Sequence, residues 1–382
     1  MKKKIIRTST VPTSLKVLLE GQLNFLLDKG FEVIGLSSAG EELQEVSKRE
    51  RVKVLALNMQ RRISPIKDFI SLVKMFFLLK REKPDIVHSI TPKAGLITML
   101  AAKFAGVPIR IHTFTGLIFP SKRGIMQKLL IFMDRLLCWA ATNIYPEGEG
   151  VKKDLIQFKI TNKPLKVIAN GNVNGIDTQH FSPSSVSELD KESLSKELGI
   201  SKEDFVFVFV GRLVSDKGIN ELIQAFKEIS THKENAKLLL VGSMEEHLDP
   251  LRKETIQEIK ENQNIIYAGF KTDVRPYFSV SNCLVFPSYR EGFPNVVMQA
   301  GAMELPSIVS DINGCNEIII NGKNGVIIPP KDAASLREQM INILENRDLY
   351  LSLKSQSREM IVNRYQRQYV WEALLEEYNQ LL

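Results

Sequence analysis

The feature that most restricts how this chain can fold is an alternation repeated along nearly its whole length. Short, largely apolar segments are separated by stretches of ten residues or more with helical patterning. In the first half these segments are KKKIIRTST, FEVIGLSS, VKVLALN, DIVHSIT, IRIHTFTG and TNIYPEG. A strand that is apolar on both sides must be covered on both, and a connection long enough for a helix brings the chain back to start a parallel neighbour. The pattern therefore predicts a parallel sheet between two layers of helix. After a polar stretch, SPSSVSELDKESLSKELGISKED, it begins again with FVFVFVG, AKLLLVG, IIYAG, CLVFPS, SIVSD and GVIIPP.

At 382 residues the chain exceeds what one ordinary core accommodates. The reading is two doubly wound α/β domains, 1–181 and 204–365, joined by a linker at 182–203, with the segment from about 366 to 382 packing back on the first. LKVLLEGQLNFLLDKG reads as one amphipathic helix closed by Gly30, and 333–365 as a long, broken helix.

A net charge of +7 hides an asymmetry. Residues 1–185 hold 29 Lys and Arg against 15 Asp and Glu; the remainder holds 22 against 29. That split points the first half at something anionic. No zinc-finger spacing or RNA-binding aromatic signature is present, so no nucleic acid partner is expected, and an anionic inner membrane face is preferred. No apolar run reaches the eighteen or so residues that a membrane span needs, and MKKKIIRTSTVP lacks the apolar core of a signal peptide. The expected location is cytoplasmic, peripheral on the inner face of the cell membrane. Two segments mix basic and apolar residues: KDFISLVKMFFLLKREK at 67–83 and FPSKRGIMQKLLIFMDRLL. Cys138, Cys283 and Cys315 are far apart in sequence, with no CxxC pairing, and read as buried thiols rather than metal ligands or disulfides.

In parallel sheets, ligands sit beyond the carboxyl ends of the strands. Three such loops in the second half carry unusual residues. VFVGRLVSDKGINEL places Gly211 and Arg212 at a strand end and Lys217 before a helix, an arrangement able to reach a phosphate. VGSMEEH is a weaker copy. VFPSYREGFPNVVMQAGAMELPSIVSD sets Arg290, Glu291 and Gly292 before a helix opening on Pro294. There the amides of Phe293, Asn295 and Val296 would favour a diphosphate. Glu291 could accept from sugar hydroxyls, with Arg290 orienting it. It could equally serve the helix dipole alone.

VGRLVSDKG together with SNCLVFPSYREGFPNVVMQAGAMELPSIVSDINGCNEII resembles the C-terminal domain of family 4 glycosyltransferases, and IANGNVNGIDTQHFSP resembles that family's interdomain junction. The resemblance covers essentially the whole chain and is strongest from 204 to 335. It implies the GT-B fold, two doubly wound Rossmann-like domains facing a central cleft. It also implies transfer of a sugar from a nucleotide-sugar donor with retention of configuration and without a metal or other cofactor. By position, Arg212 and Lys217 would hold the diphosphate, Glu291 the donor sugar, and the helix start both. Gln299 stands where the family has a second Glu that binds the ribose; an amide can still make that contact, without the charge. In the first half the family's donor-sugar His is not in its usual place: Thr115 precedes Gly116, and His112 lies three residues earlier. Further candidates there are Thr13, Ser14 and, for an acceptor phosphate, Lys93.

The function implied is retaining transfer of a hexose or N-acetylhexosamine, from UDP rather than GDP, to a saccharide or undecaprenyl-linked acceptor in capsule, O-antigen or other surface polysaccharide synthesis. A nucleotide-sugar 2-epimerase of the same fold, or an inactive donor-binding protein, are the alternatives.

Overall fold

The computed structural model describes residues 2–60, 64–245 and 249–382. The chain divides into two compact units, Met1–Gly175 with Arg367–Leu382, and Ile176–Gln366. The stretch 182–203, read as a linker, thus lies inside the second unit, where Glu188–Leu198 forms a helix capped by the Ser187 hydroxyl.

The first unit holds β1 (Lys4–Thr8), β2 (Glu32–Ser37), β3 (Lys53–Ala56), β4 (Ile86–Ser89), β5 (Ile109–Phe114) and β6 (Asn143–Pro146). They form one parallel sheet in the order β3-β2-β1-β4-β5-β6. The period of two in a strand sends neighbours to opposite layers. Ile5, Val33 and Ile86 join one core, while Ile6, Ile34 and Val87 join the other. The helices Pro65–Glu82, Pro92–Ala105 and Gly124–Ala140 pack side by side on the second of these.

The second unit repeats the topology with β7 (Phe205–Val210), β8 (Ala236–Val241), β9 (Ile265–Gly269), β10 (Cys283–Phe286), β11 (Ser307–Ser310) and β12 (Gly325–Ile328). All are parallel, in the order β12-β11-β10-β7-β8-β9. In each sheet the strand order reverses beside the first strand, so two neighbouring strands send their loops apart and leave a crevice at their carboxyl ends. In the second sheet those strands are β7 and β10.

One helical reading differs from the structure and another is met. The stretch read as one helix up to Gly30 is two, Pro12–Leu18 and Gln22–Asp28. At the break the Gly21 amide donates to the Glu50 carboxylate (2.9 Å), and the Trp371 ring occupies the space beside it. The segment 333–365 breaks at Asn346, whose side chain caps the second piece, Arg347–Tyr365, by accepting from the Leu349 amide (3.0 Å).

The last helix, Arg367–Leu381, belongs to the first unit. Trp371 packs against Phe25, ring centroids 5.3 Å apart, and donates its indole N–H to Asn174 (2.7 Å). Farther along, the Tyr378 hydroxyl lies 2.9 Å from the buried Arg7 guanidinium and 2.6 Å from His88 Nδ1. Since Trp371 is only 9% exposed, Trp371→Ala removes most of a large buried ring and its hydrogen bond. We expect a loss of about 3 kcal/mol in chemical denaturation. Limited proteolysis should then cut first near the carboxyl end of the chain.

Candidate active site

The site is built where β7 and β10 end. After β7 the chain passes Gly211, Arg212 and the buried Leu213 and Val214, makes a turn at Ser215–Lys217, and enters the helix Ile219–Ser230. After β10 it runs through Pro287 to Gly292 and enters the helix Asn295–Ala302. That helix starts one residue later than read, with Pro294 (φ −74°, ψ 110°) as its N-cap.

Gly218 is left-handed (φ 72°), and a Cβ there would stand 2.1 Å from the Pro287 carbonyl oxygen. Only glycine lets the two loops approach this closely. The Tyr289 amide then donates to the Asp216 carbonyl (2.9 Å), and the Tyr289 hydroxyl to Glu221 (2.6 Å). Burial and the neighbouring Glu221 carboxylate push the Tyr289 phenol upward, so it stays a donor.

This approach joins Lys217 to Glu291. Their side chains form an ion pair, and each is only 16% exposed. Phe286 lies under the ammonium, 5.7 Å from ring centroid to Nζ. Ser288, wholly buried, donates its hydroxyl to Glu291 Oε1 (2.8 Å). Lys217 donates to the same oxygen. Glu291 Oε2 therefore accepts nothing among the described residues. A partly buried carboxylate with one oxygen anchored and one open is a fixed acceptor for a hydroxyl.

The other two cations sit differently. Arg290 pairs with Asp216 (3.3 Å), not with Glu291, so the orienting role read for it falls to Lys217 and Ser288. Arg212 reaches Glu245 (2.9 Å) and is half exposed. The Gly211 backbone carries on from β7, its amide donating to the Val241 carbonyl (2.9 Å). Of VGSMEEH, residues 246–248 lie outside the described residues.

The Phe293 side chain is core, edge-on to Tyr365 at 5.5 Å. Asn295, Val296 and Gln299 are half-buried. Gln299 makes no side-chain hydrogen bond among the described residues, which leaves its amide available. Lys331 lies over the Tyr289 ring (4.7 Å), a further cation at the strand ends that the sequence reading missed. Missed too were Ser288, which carried no charge to draw attention, and the loop at Gly314. A Cβ on Gly314 would stand 2.4 Å from the Gly292 carbonyl oxygen, so this third loop backs the second. Cys315, next in the chain, is fully buried, and burial with the Glu291 charge holds its thiol far above the ordinary range.

The first-unit candidates fare differently. His112 is wholly buried in β5, with Nδ1 2.8 Å from the Ser89 hydroxyl and its ring against Phe114 (4.5 Å). Burial lowers its pKa to about 3, so it is a neutral core residue and presents no surface to a sugar. Lys93 is engaged by Asp68 at 2.9 Å and only 9% exposed, which leaves little charge for an acceptor phosphate. Thr13 and Ser14 lie in the first turn of the helix Pro12–Leu18 rather than in a loop, and Thr13 donates to Glu42 (3.3 Å). The Thr115 hydroxyl donates to the Ile90 carbonyl (2.8 Å), and Gly116 follows with φ 112°.

Two family models match the chain, "Glycosyl transferases group 1" over residues 190–360 and "Glycosyl transferase 4-like" over residues 12–147. The capsular polysaccharide biosynthesis glycosyltransferase CapM of Staphylococcus aureus is 33% identical over 381 residues, 99% of this chain and 97% of the relative. An Escherichia coli UDP-Gal:alpha-D-GlcNAc-diphosphoundecaprenol alpha-1,3-galactosyltransferase is 29% identical, covering 80% of this chain and 78% of the relative. Among solved structures, Anabaena HepE in complex with UDP superposes with a TM-score of 0.82 at 18% identity, over 100% of both chains. A Rickettsia africae glycosyltransferase gives 0.81 at 20% identity, over 100% of this chain and 98% of the other. The protein belongs to the family 4 glycosyltransferases of the GT-B fold and is itself a glycosyltransferase.

Proposed function

We propose that the protein transfers a hexosyl or N-acetylhexosaminyl group from a UDP-sugar to an undecaprenyl-diphosphate-linked saccharide, with retention of configuration, in the synthesis of capsule or another surface polysaccharide. The observation that carries this reading is the Lys217–Glu291 pair at the start of the helix Asn295–Ala302. It sets a cation, an open carboxylate oxygen and a helix N-terminus at one strand end, the three groups a sugar diphosphate needs. The relatives support the substrate classes: CapM is named for capsule, and the Escherichia coli enzyme for UDP-galactose and a diphosphoundecaprenol acceptor. A Campylobacter jejuni relative, 27% identical, is likewise named for a diphospho-undecaprenol acceptor.

In the proposed reaction Glu291 Oε2 accepts from a donor-sugar hydroxyl and fixes the ring. The bond from the anomeric carbon to the diphosphate oxygen breaks, and the acceptor hydroxyl bonds to that carbon on the same side. The acceptor proton passes to the departing diphosphate. Its growing negative charge is met by Lys217, by Arg212 released from Glu245, and by the helix end. Gln299 takes the ribose hydroxyls through its amide. With charge supplied this way, no metal enters the reaction, and transfer should continue in EDTA.

The first test is a thermal-shift panel of nucleotide-sugars. A UDP-sugar at a hundred times its Kd should stabilise the protein by about 2.7 kcal/mol, and transfer of labelled sugar to an undecaprenyl-linked acceptor should follow. Stabilisation by GDP-sugars alone, or isomerisation of the donor without transfer, overturns the reading.

Glu291→Gln keeps the Ser288 contact but loses the charge, and should lower kcat at least about a hundredfold. Lys217→Ala should lose as much, with some loss of stability because it strands a partly buried carboxylate. Near-normal turnover in either variant would remove the pair from the donor site. Gln299→Glu should keep turnover and tighten UDP several-fold, since a charged acceptor makes the stronger hydrogen bond. Unchanged affinity, measured by calorimetry, would move the ribose contact elsewhere.

A further inference from the structure

We propose that the first unit docks on an anionic phospholipid bilayer through the outer faces of two helices, Pro65–Glu82 and Gly124–Ala140. A surface helix ordinarily turns its one apolar stripe inwards. These two carry a second stripe outwards. On Pro65–Glu82 the inward residues are Ser71, Met75 and Leu79, whereas Ile66 is 77% exposed, Phe69 67% and Phe77 65%. At 3.6 residues per turn, Ile66, Ile70 and Phe77 fall within about 40° of one another. Lys67, Lys74 and Arg81, seven residues apart, run along one side of that stripe. They line a groove of about 960 Å³ beside Leu57 and Asn58, where the chain leaves the edge strand β3.

Gly124–Ala140 repeats the arrangement. Leu137, Cys138 and Ala140 are buried, while Ile125 is 86% exposed and Leu129, Phe132 and Trp139 share its side. Lys128 and Arg135 flank them. The helix Pro92–Ala105 lies between the two and exposes Phe104. More than half of the large apolar side chains exposed among the described residues fall between Ile66 and Trp139.

Two occupants fit exposed apolar stripes, a bilayer and a second copy of this chain. Charge separates them. Lys67, Lys74 and Lys128 form no ion pair among the described residues. The acids of these two helices do not offer a countercharge on the outer faces: Asp68 holds Lys93, Glu82, only 8% exposed, holds Lys53, and Asp134, its carboxyl raised to about 7 by burial, falls on the side of its helix opposite Ile125. The first unit as a whole carries 30 Lys and Arg against 17 Asp and Glu. A second copy would bring the same cations against these, with no free carboxylate on the outer faces to meet them. An anionic bilayer supplies the countercharge and accepts the apolar stripes at its interface. Met75, read from the sequence as part of this mixture, is instead wholly buried, and Phe76 packs inward.

Docking does not depend on the transfer reading, because vesicle binding is measured without turnover. The experiment is co-sedimentation of the full chain with phosphatidylglycerol-containing and pure phosphatidylcholine vesicles, at low and high salt. Each basic residue at an anionic surface contributes roughly a fivefold factor to binding. Binding should therefore favour the anionic vesicles strongly and fall as salt screens them. Lys67→Glu with Lys74→Glu should weaken it at least about tenfold, and so should Phe77→Ser with Phe132→Ser. Neither pair touches the donor residues, so thermal stabilisation by UDP should stay as in the wild type, which also reports that the variants fold. Equal, salt-independent binding to both vesicles, no binding, or wild-type binding by both variants overturns the proposal. So does a wild-type dimer in solution that the Phe77 and Phe132 changes convert to monomer, since the faces then serve a second copy.

Discussion

At the carboxyl edge of the second sheet, three loops meet backbone against backbone. A Cβ on Gly218 would lie 2.1 Å from the Pro287 carbonyl oxygen, and one on Gly314 would lie 2.4 Å from that of Gly292. Both glycines are left-handed, at φ 72° and 74°. No side chain could be fitted at either contact without prising the loops apart. The contacts therefore fix the loop after β10 from both sides, one from the loop after β7 and one from the loop after β11. Lys217 and Glu291 are distant in sequence, yet the geometry that joins them is set by main chain, which is stiffer than any side-chain contact. The chemistry proposed for them inherits that rigidity.

Most of the fold was legible because burial on both faces writes itself into sequence as uninterrupted apolar runs. Phe205–Val210 and Ala236–Val241 are such runs, and each pairs in register along its whole length. The interruption at Gly21 was harder to see than the one at Asn346. Gly21 interrupts a pattern that is otherwise helical on both sides, and the Trp371 ring that leaves no room for a side chain there comes from a segment hundreds of residues later. In the second unit, the strand-end loops could be read as ligand-facing. Their pairing could not: the reading set Arg290 beside Glu291, whereas the neighbouring positions of β7 and β10 in the sheet put Lys217 there. Adjacency in sequence was a poorer guide than adjacency at the switch in strand order.

His112 shows the opposite failure. The family resemblance made it a candidate for the donor sugar, but the period of two turns it into the core on the side where Gly95 leaves room for its ring. The polar content of the first unit is concentrated instead on the other side of the sheet. There Arg7, wholly buried, is reached by Gln22 (2.8 Å) and Tyr378, and His88 bridges Tyr378 to Thr113 (2.7 Å). Glu377 accepts from Tyr145 (2.7 Å) and pairs with Lys166. Burial and the Arg7 charge lower His88, so it remains neutral and can take the roles this chain of hydrogen bonds asks of it. Nothing in composition marks these residues as a group. They become one only when the terminal helix comes back onto the sheet, and each would be costly if left unpaired there.

The cations of the second unit divide by what it takes to release them. Arg212 and Arg290 meet their carboxylates in water, with half of each side chain exposed, and such pairs contribute about 0–1 kcal/mol. A phosphate can displace either partner at little cost. Lys217 and Glu291 are mostly withdrawn from water, and separating them would strand a charge on each side, at several kcal/mol. In the proposed site a donor would therefore add to that pair rather than break it, with Lys217 keeping Glu291 Oε1 while a phosphate takes another of its N–H bonds. An ammonium has three donors and can do both. In the proposed reaction the fixed pair would then set where the sugar and its leaving group lie, and Arg212, released from an exposed partner, would meet the charge as it grows.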